Sequence, residues 1–309
     1  MEPFRIHILG CGSALPTLQH NATSQVVEVR GKFFMIDCGE GTQMQLRRTH
    51  IHFAKLQAVF ISHLHGDHCF GLPWLLSTFG MLGRTSRLKV FAPMAYEDLF
   101  RRQMDFFMSG LGYEVEFVGI DTTQAKVIFE DHSLTVSTIP LQHRVPCCGF
   151  LFREKPTLPH IRRDMIDYYG IPLSQINNIK NGAGWTTGDG VDVPHERLVD
   201  ASDAPRSYAY CSDTRYVPAI ADVVRGVDML YHESTYTSEN EDRAGLYCHS
   251  TARQAATIAH RAGVGQLLLG HYSARYNDEQ VLLHEAQQVF PASFLTDEGK
   301  VFDVQGRKK

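Results

Sequence analysis

Apolar residues along this chain fall into two alternating rhythms. Short runs rich in β-branched and aromatic side chains occur at 4–9, 24–29, 32–36, 55–61, 88–91, 114–118, 126–129, 134–139 and 149–152, and each reads as a strand. Arg30-Gly31 marks a hairpin between the second and third. Residues 42–48, 67–79 and 96–107 carry apolar positions at helical spacing, with Pro73 in the first turns of the second helix. The alternation resumes with strands at 207–210, 229–232 and 266–269 and helices at 217–224, 250–262 and 279–289. His249 or Ser250 stands near the cap of the 250–262 helix, and Gly263 ends it. Strands grouped with helices on both sides predict an α/β fold of two facing sheets, each covered by helices.

Residues 153–203 break this rhythm. Pro156, Pro159, Pro172 and Pro194 punctuate the segment, Pro205 follows it, and Asn181-Gly182-Ala183-Gly184 and Gly188-Asp189-Gly190 are turn-rich. The segment reads as an excursion from a single domain spanning 1–309, not as a second domain.

The candidate chemistry is concentrated where the strand at 55–61 ends. His63-Leu64-His65-Gly66-Asp67-His68 places four metal-competent side chains in six residues. Imidazole and carboxylate suit zinc or another first-row divalent ion. A tight turn cannot wrap four ligands around one ion. Two adjacent ions can share it, with His63 and His65 turned to one and Asp67 and His68 to the other. A hydrolytic dinuclear site of this kind requires further ligands at strand ends, and His143, Asp213 and His271 each follow an apolar strand. Asp213 is the natural bridge, because a carboxylate offers one oxygen to each cation and offsets their repulsion.

With 43% hydrophobic residues the chain can bury a core without covalent staples. A net charge of -4 says nothing in favour of a general polyanion binder, so any contact with nucleic acid must come from a local basic patch. Cys11, Cys38, Cys69, Cys147, Cys148, Cys211 and Cys248 are odd in number and form no Cys-x-x-Cys pair, which points to reduced thiols. The start of the chain lacks the pattern of a signal peptide, and no apolar stretch approaches the ~20 residues of a membrane helix. The expectation is a soluble cytoplasmic protein.

The histidine turn is also the signature of the metallo-β-lactamase superfamily, and its surroundings resemble the transfer-RNA 3′-end processing family, ribonuclease Z. The resemblance runs through Gly10-Cys11-Gly12-Ser13-Ala14-Leu15-Pro16-Thr17, His20-Asn21 and Phe34-Met35-Ile36-Asp37-Cys38-Gly39-Glu40-Gly41-Thr42-Gln43. It continues with Phe70-Gly71-Leu72-Pro73, Ser212-Asp213-Thr214, His232-Glu233-Ser234-Thr235-Tyr236, His249-Ser250-Thr251-Ala252 and His271-Tyr272-Ser273-Ala274-Arg275-Tyr276. It implies an αββα sandwich of two facing mixed sheets flanked by helices, with a protruding arm. By the resemblance, His63, His65 and His143 hold one zinc, Asp67, His68 and His271 hold the other, and Asp213 bridges them. Two Zn²⁺ per subunit are implied, with Mn²⁺ an alternative that the ligand types allow.

The implied reaction is hydrolysis of precursor tRNA to a tRNA 3′-hydroxyl and a 5′-phosphate trailer. A hydroxide activated by the two metals attacks phosphorus, and Asp67 accepts or orients its proton. His249 is the expected proton donor to the leaving 3′-oxygen, with Glu233 on its other ring nitrogen. Arg275 and Ser273 are expected on phosphate oxygens, with Thr214 and Asn21 as weaker polar contacts.

The family's arm corresponds to the 153–203 segment, expected to grip the tRNA elbow. Its charges are mixed, with Arg162, Arg163, Lys180 and Arg197 against Asp164, Asp167, Asp189 and Asp192. It departs from the family at Pro172-Leu173-Ser174-Gln175, where a Gly-Pro pair is usual. Ser212 and Trp74 are smaller departures. A homodimer is implied, one subunit's arm serving the partner's site. The alternatives are a phosphodiesterase for small phosphodiesters, a metal-stabilised RNA-binding protein without turnover and, with least support, a β-lactam hydrolase.

Overall fold

The computed structural model describes residues 2–15 and 17–306; Pro16 of the N-terminal motif lies outside the described residues. The chain divides into a main unit and an inserted unit, Glu154–Pro205.

The main unit contains two seven-stranded sheets. The first runs in the order Val301–Asp303, Phe4–Gly10, Ser24–Val29, Lys32–Ile36, Leu56–Phe60, Leu88–Pro93, Val115–Ile120. Its first four strands pair antiparallel and the rest parallel. The second runs Ser293–Leu295, Gln266–Gly270, Met229–Glu233, Ser207–Cys211, Cys148–Glu154, Leu134–Pro140, Val127–Glu130, with four parallel strands at one side.

The nearly continuous apolar runs have a physical reason: both faces of the first sheet are covered. Phe34, Ile36, Ala58 and Phe60 join the core between the sheets, where Phe60 meets Phe150 with ring centroids 5.4 Å apart and Phe34 meets Phe152 at 6.1 Å. The alternate residues Phe33, Met35, Val59 and Ile61 face Leu72, Leu75, Leu76 and Phe79. Those four come from the helix Gly71–Met81, where Pro73 occupies the first turn and sacrifices no intrahelical bond.

The expected helix at 67–79 is divided at Phe70 into Gly66–Cys69 and Gly71–Met81. Close backbone approach explains the glycines there. A Cβ on Gly71 would stand 2.1 Å from the Gly39 carbonyl oxygen, and one on Gly39 would stand 2.4 Å from that of Asp67. The loop after Lys32–Ile36 is thereby clamped to the histidine turn, with Cys38 N–H donating to the His68 carbonyl at 2.8 Å.

The helix expected at 250–262 begins two residues later. Thr251 is the cap of Ala252–Ala262, in a reciprocal box with Gln254 that stabilises it by about 1 kcal/mol. His249 is therefore free of capping duty. All seven cysteines are unpaired, and among the described residues no helix is long and apolar enough to cross a membrane.

One staple joins the ends of the main unit. His20 donates through Nδ1 to Glu298 (2.9 Å) and through Nε2 to Glu279 (3.2 Å), and Glu298 also accepts from Asn21 N–H at 2.7 Å. Cys11 approaches the same trio, but both His20 nitrogens are already spent on carboxylates, so the group is structural. The hydrogen bond to Glu298 raises the His20 pKa against the opposing effect of burial. Glu298 is held below its ordinary value: burial opposes this, and the hydrogen bond from His20 overcomes it.

The histidine contribution is complete below its unfolded value, about 6.5, and is lost as pH rises through the folded value. The glutamate contribution is complete above its own unfolded value. Glu298→Gln is therefore expected to lower stability by about 1–3 kcal/mol at pH 6 and by less at pH 9, read from thermal melts at the two pH values.

The inserted unit has its own small core of Ile166, Ile171, Ile179, Val193 and Leu198. Short helices Arg163–Tyr168, Ile176–Lys180 and His195–Leu198 surround it, with two-residue ladders pairing His160–Ile161 with Val199–Asp200 and Trp185–Thr186 with Asp192–Val193. Arg162 reaches Asp164 at 3.1 Å, so one of the expected cations is already paired. Tyr168 and Leu173 are exposed.

Candidate metal centre

Four strand ends converge on one cleft. His63 follows Leu56–Phe60, Asp213 follows Ser207–Cys211, His271 follows Gln266–Gly270, and Glu233 is the last residue of Met229–Glu233. His143 comes from the loop after Leu134–Pro140. Here His271 takes a left-handed backbone, φ 60°, which turns its side chain back toward the others.

The side chains form two groups. His63 Nε2 lies 3.1 Å from His65 Nδ1, and His143 Nε2 lies 3.2 Å from the same atom. Opposite them, Asp67 Oδ2 stands 3.3 Å from His68 Nε2 and 3.5 Å from His271 Nε2. Asp213 divides its oxygens between the groups. Its Oδ2 is 3.7 Å from both His63 Nε2 and His143 Nε2, whereas Oδ1 is 3.4 Å from His68 Nε2 and 3.1 Å from His271 Nε2.

The outward ring nitrogens are tied down. His63 Nδ1 meets Ser62 Oγ (3.0 Å), His68 Nδ1 meets Asp37 Oδ2 (2.8 Å), and His143 Nδ1 donates to the Cys248 carbonyl (3.0 Å). Asp37 is itself held by Ser62 N–H at 2.7 Å and the Tyr210 hydroxyl at 2.7 Å. Such outer partners fix the tautomer that leaves Nε2 with a lone pair facing inward.

Three inward atoms test whether a cation fits. Asp67 Oδ2, His68 Nε2 and His271 Nε2 are buried without a hydrogen-bond partner. Orphaned buried polar atoms of this kind are costly unless an ion or water completes them. Three of them converging around carboxylate oxygens suit a divalent cation.

The electrostatics agree. Burial pushes His63 well below its ordinary pKa. At His68 burial acts the same way, but Asp213, Asp37 and Asp67 outweigh it and hold the imidazole well above its ordinary value. Asp67 and Asp213 resist the upward push of burial because the histidines around them hold both carboxylates below the usual range. The same carboxylates that favour a proton on His68 would favour a bound cation in its place.

Beside this centre stands a His–Glu pair. His249 Nδ1 lies 2.9 Å from Glu233 Oε1, and that oxygen also accepts from Thr214 N–H at 2.8 Å. His249 stacks on His271 with centroids 5.4 Å apart. Burial lowers its pKa, but the Glu233 carboxylate overcomes this and raises it to about 9 in the metal-free protein.

The cleft is about 690 Å³ and is lined by His65, Asp67, His143, His249 and His271 together with Ser273 and Arg275. Arg275 donates to Ser273 Oγ at 3.0 Å and lies over the Tyr236 ring at 4.9 Å. Thr214 and Asn21 are placed differently from expectation. Thr214 is fully buried, and its hydroxyl is engaged by the Gln142 N–H and the Arg215 carbonyl. Asn21 is absent from the cleft wall, and its backbone is held by Glu298.

The wall also carries Phe70, from the Phe70-Gly71-Leu72-Pro73 stretch, and Arg144 and Arg243, to which the sequence assigns no site role. The position of Arg144, directly after His143, is a usable signal. A neighbouring groove of about 900 Å³ shares His143 and Arg144 and adds Arg215.

Two facing sheets with a histidine–aspartate centre at their strand ends define a metallo-β-lactamase-fold hydrolase that uses divalent metal. Solved structures with this fold include the human tRNase Z, short form, at 23% identity and a TM-score of 0.69, covering 97% of this chain and 99% of that one. The metallo-β-lactamase fold protein YhfI from Bacillus subtilis matches at 17% identity and the same TM-score, covering 98% of this chain and all of that one.

Among curated relatives, ribonuclease Z of Phocaeicola vulgatus is 54% identical over the full length of both chains. Ribonuclease Z of Bacteroides fragilis is 55% identical over 96% of this chain and 98% of its own. A family model described as anti-Pycsar protein Apyc1 matches residues 4–158. The chain belongs to that family over its first half and, over its full length, to the ribonuclease Z family.

Proposed function

We propose that this protein is a metal-dependent endoribonuclease that removes the 3′ trailer from precursor tRNA. The observation that carries the reading is the convergence of seven metal-competent side chains, three with orphaned atoms, on the same cleft as the His249–Glu233 pair.

His63, His65 and His143 would hold one cation and Asp67, His68 and His271 the other, with Asp213 between them; zinc suits this nitrogen-rich set. When bound, the cations supply Lewis acidity that acidifies water and offsets phosphoryl charge. Asp67 orients the attacking water and takes its proton. Arg275 and Ser273 hold phosphate oxygens from the cleft wall. Water oxygen bonds to phosphorus as the bond from phosphorus to the ribose 3′-oxygen breaks. His249 delivers a proton to that 3′-oxygen, and Glu233 on Nδ1 keeps the ring oriented and stabilises its charged form. The products are a tRNA 3′-hydroxyl and a trailer with a 5′-phosphate.

The inserted unit, residues 154–205, serves as the tRNA grip, and a homodimer in the cytoplasm is the working assembly. The neighbouring groove with Arg144 and Arg215 gives a longer polyanion somewhere to lie, which favours RNA over a small diester.

Incubation of the zinc-loaded protein with a trailer-bearing precursor tRNA should give a single cut near the acceptor end, with the end groups stated above. Shortening residues 160–195 should weaken cleavage of the tRNA while hydrolysis of a small phosphodiester persists. Intact RNA alongside hydrolysis of the small diester would mean that the substrate is wrong and the metal chemistry right.

A further inference from the structure

Thr235 follows the strand Met229–Glu233 by two residues and is 4% exposed. Its hydroxyl oxygen is 2.6 Å from Glu233 Oε2 and 2.9 Å from His271 Nδ1. An ionised carboxylate can only accept, so the single hydroxyl proton goes to Glu233. The hydroxyl must then accept from His271, which places the His271 proton on Nδ1. The opposite nitrogen, Nε2, is left with a lone pair, and it is one of the orphaned atoms aimed at Asp213 and Asp67.

The other oxygen of Glu233 is committed to His249 and to the Thr214 N–H. One hydroxyl therefore stands between two parts of the site: a candidate metal ligand on one side and the carboxylate of the His–Glu pair on the other. Among the described residues, Thr235 is the side chain that hydrogen-bonds His271 Nδ1. The Thr235 backbone N–H also reaches Glu233 Oε2, but at 3.3 Å, so the hydroxyl is the shorter tie.

We infer that Thr235 is a positioning residue: its hydroxyl fixes the His271 tautomer for metal binding and at the same time aims Glu233 at His249. The inference rests on the proposed assignment of His271 as a ligand. It concerns a side chain in the cleft wall to which neither metal binding nor substrate contact has been assigned. Outer partners of metal-bound histidines are worth about 10–100-fold in metal affinity or activity. The methyl group of Thr235 takes no part in the tie, so serine should replace threonine and valine should not.

The test is a Zn²⁺ titration of the metal-free protein against a chromogenic chelator, performed on Thr235→Val, Thr235→Ser and the parent. The parent should bind two equivalents tightly. Thr235→Val should keep one of them and bind the other about 10–100-fold more weakly, while Thr235→Ser stays within a few-fold of the parent. Thermal melts of the metal-free variants check that all three fold. Wild-type affinity at both sites in a folded Thr235→Val would overturn the inference, and so would a Thr235→Ser as weak as the valine variant. A parent that binds fewer than two equivalents would instead count against the ligand assignment. RNA cleavage plays no part in the readout, so failure of the substrate reading leaves this test intact.

Discussion

Asp213→Asn is expected to cost the protein tight metal binding and to lower kcat/KM on precursor tRNA by about three orders of magnitude or more. The reason is geometric. Among the described residues, Asp213 is the carboxylate that faces both groups of candidate ligands, with Oδ2 toward His63 and His143 and Oδ1 toward His68 and His271. Asparagine keeps the shape but removes the charge that would offset two adjacent cations, and it turns one acceptor into a donor. A metal pair contributes several kcal/mol of transition-state stabilisation, and each ~1.4 kcal/mol is tenfold in rate. The residue is almost fully buried but its partners are side chains of the cleft, so the folded frame should survive. The checks are metal content after gel filtration, a thermal melt without metal, and steady-state kinetics. A folded Asp213→Asn that retains two equivalents of metal and activity within tenfold of the parent would remove Asp213 from its bridging role.

The second large effect belongs to His249. His249→Ala should lower kcat on precursor tRNA by about 10²–10⁴ with little change in metal content, the range a positioned general acid contributes. The leaving 3′-oxygen of ribose is a poor leaving group as an anion and needs a proton. A substrate that expels 4-nitrophenolate does not, because that anion is stable at neutral pH. The same variant should therefore hydrolyse a 4-nitrophenyl phosphodiester at close to the parent rate. Equal losses on both substrates would make His249 a structural or binding residue instead of a proton donor. Glu233→Gln should fall between parent and His249→Ala, because the ring keeps a hydrogen-bond partner but loses the charge that favours its protonated form. Burial lowers the His249 pKa, but Glu233 overcomes this and holds it at about 9; a cation bound nearby would act in the opposite direction.

Much of the architecture is legible in the sequence because both faces of its central strands are covered. Runs such as 33–36 and 58–61 are apolar at consecutive positions, with alternate residues going to the sheet interface and to the helix layer. The site is legible for a related reason. Strand ends meet at one edge of the facing sheets, so a histidine or aspartate just past an apolar run, as at His63, Asp213 and His271, stands where a site can assemble.

The illegible parts share a different physics. Ser293–Leu295 and Val301–Asp303 are three-residue edge strands whose identity comes from pairing, not from pattern. The helix Glu241–Tyr247 buries only Ala244 and leaves Leu246 exposed, so it presents no apolar stripe to read. Cys248 ends it in a left-handed turn at φ 59°, a conformation that a cysteine does not announce, and that turn presents His249 to the cleft. Thr214 reads as a polar contact by its place in the motif, but burial converts its hydroxyl into a backbone tie.

The most direct measurement of the central claim is cleavage of a trailer-bearing precursor tRNA as metal-free protein is titrated with Zn²⁺, with bound metal quantified at each point. A dinuclear hydrolase should make no cut without metal, and then a single cut near the acceptor end whose rate rises until two equivalents are bound. Full cleavage by metal-free protein, or a rate that saturates at one equivalent, would contradict it.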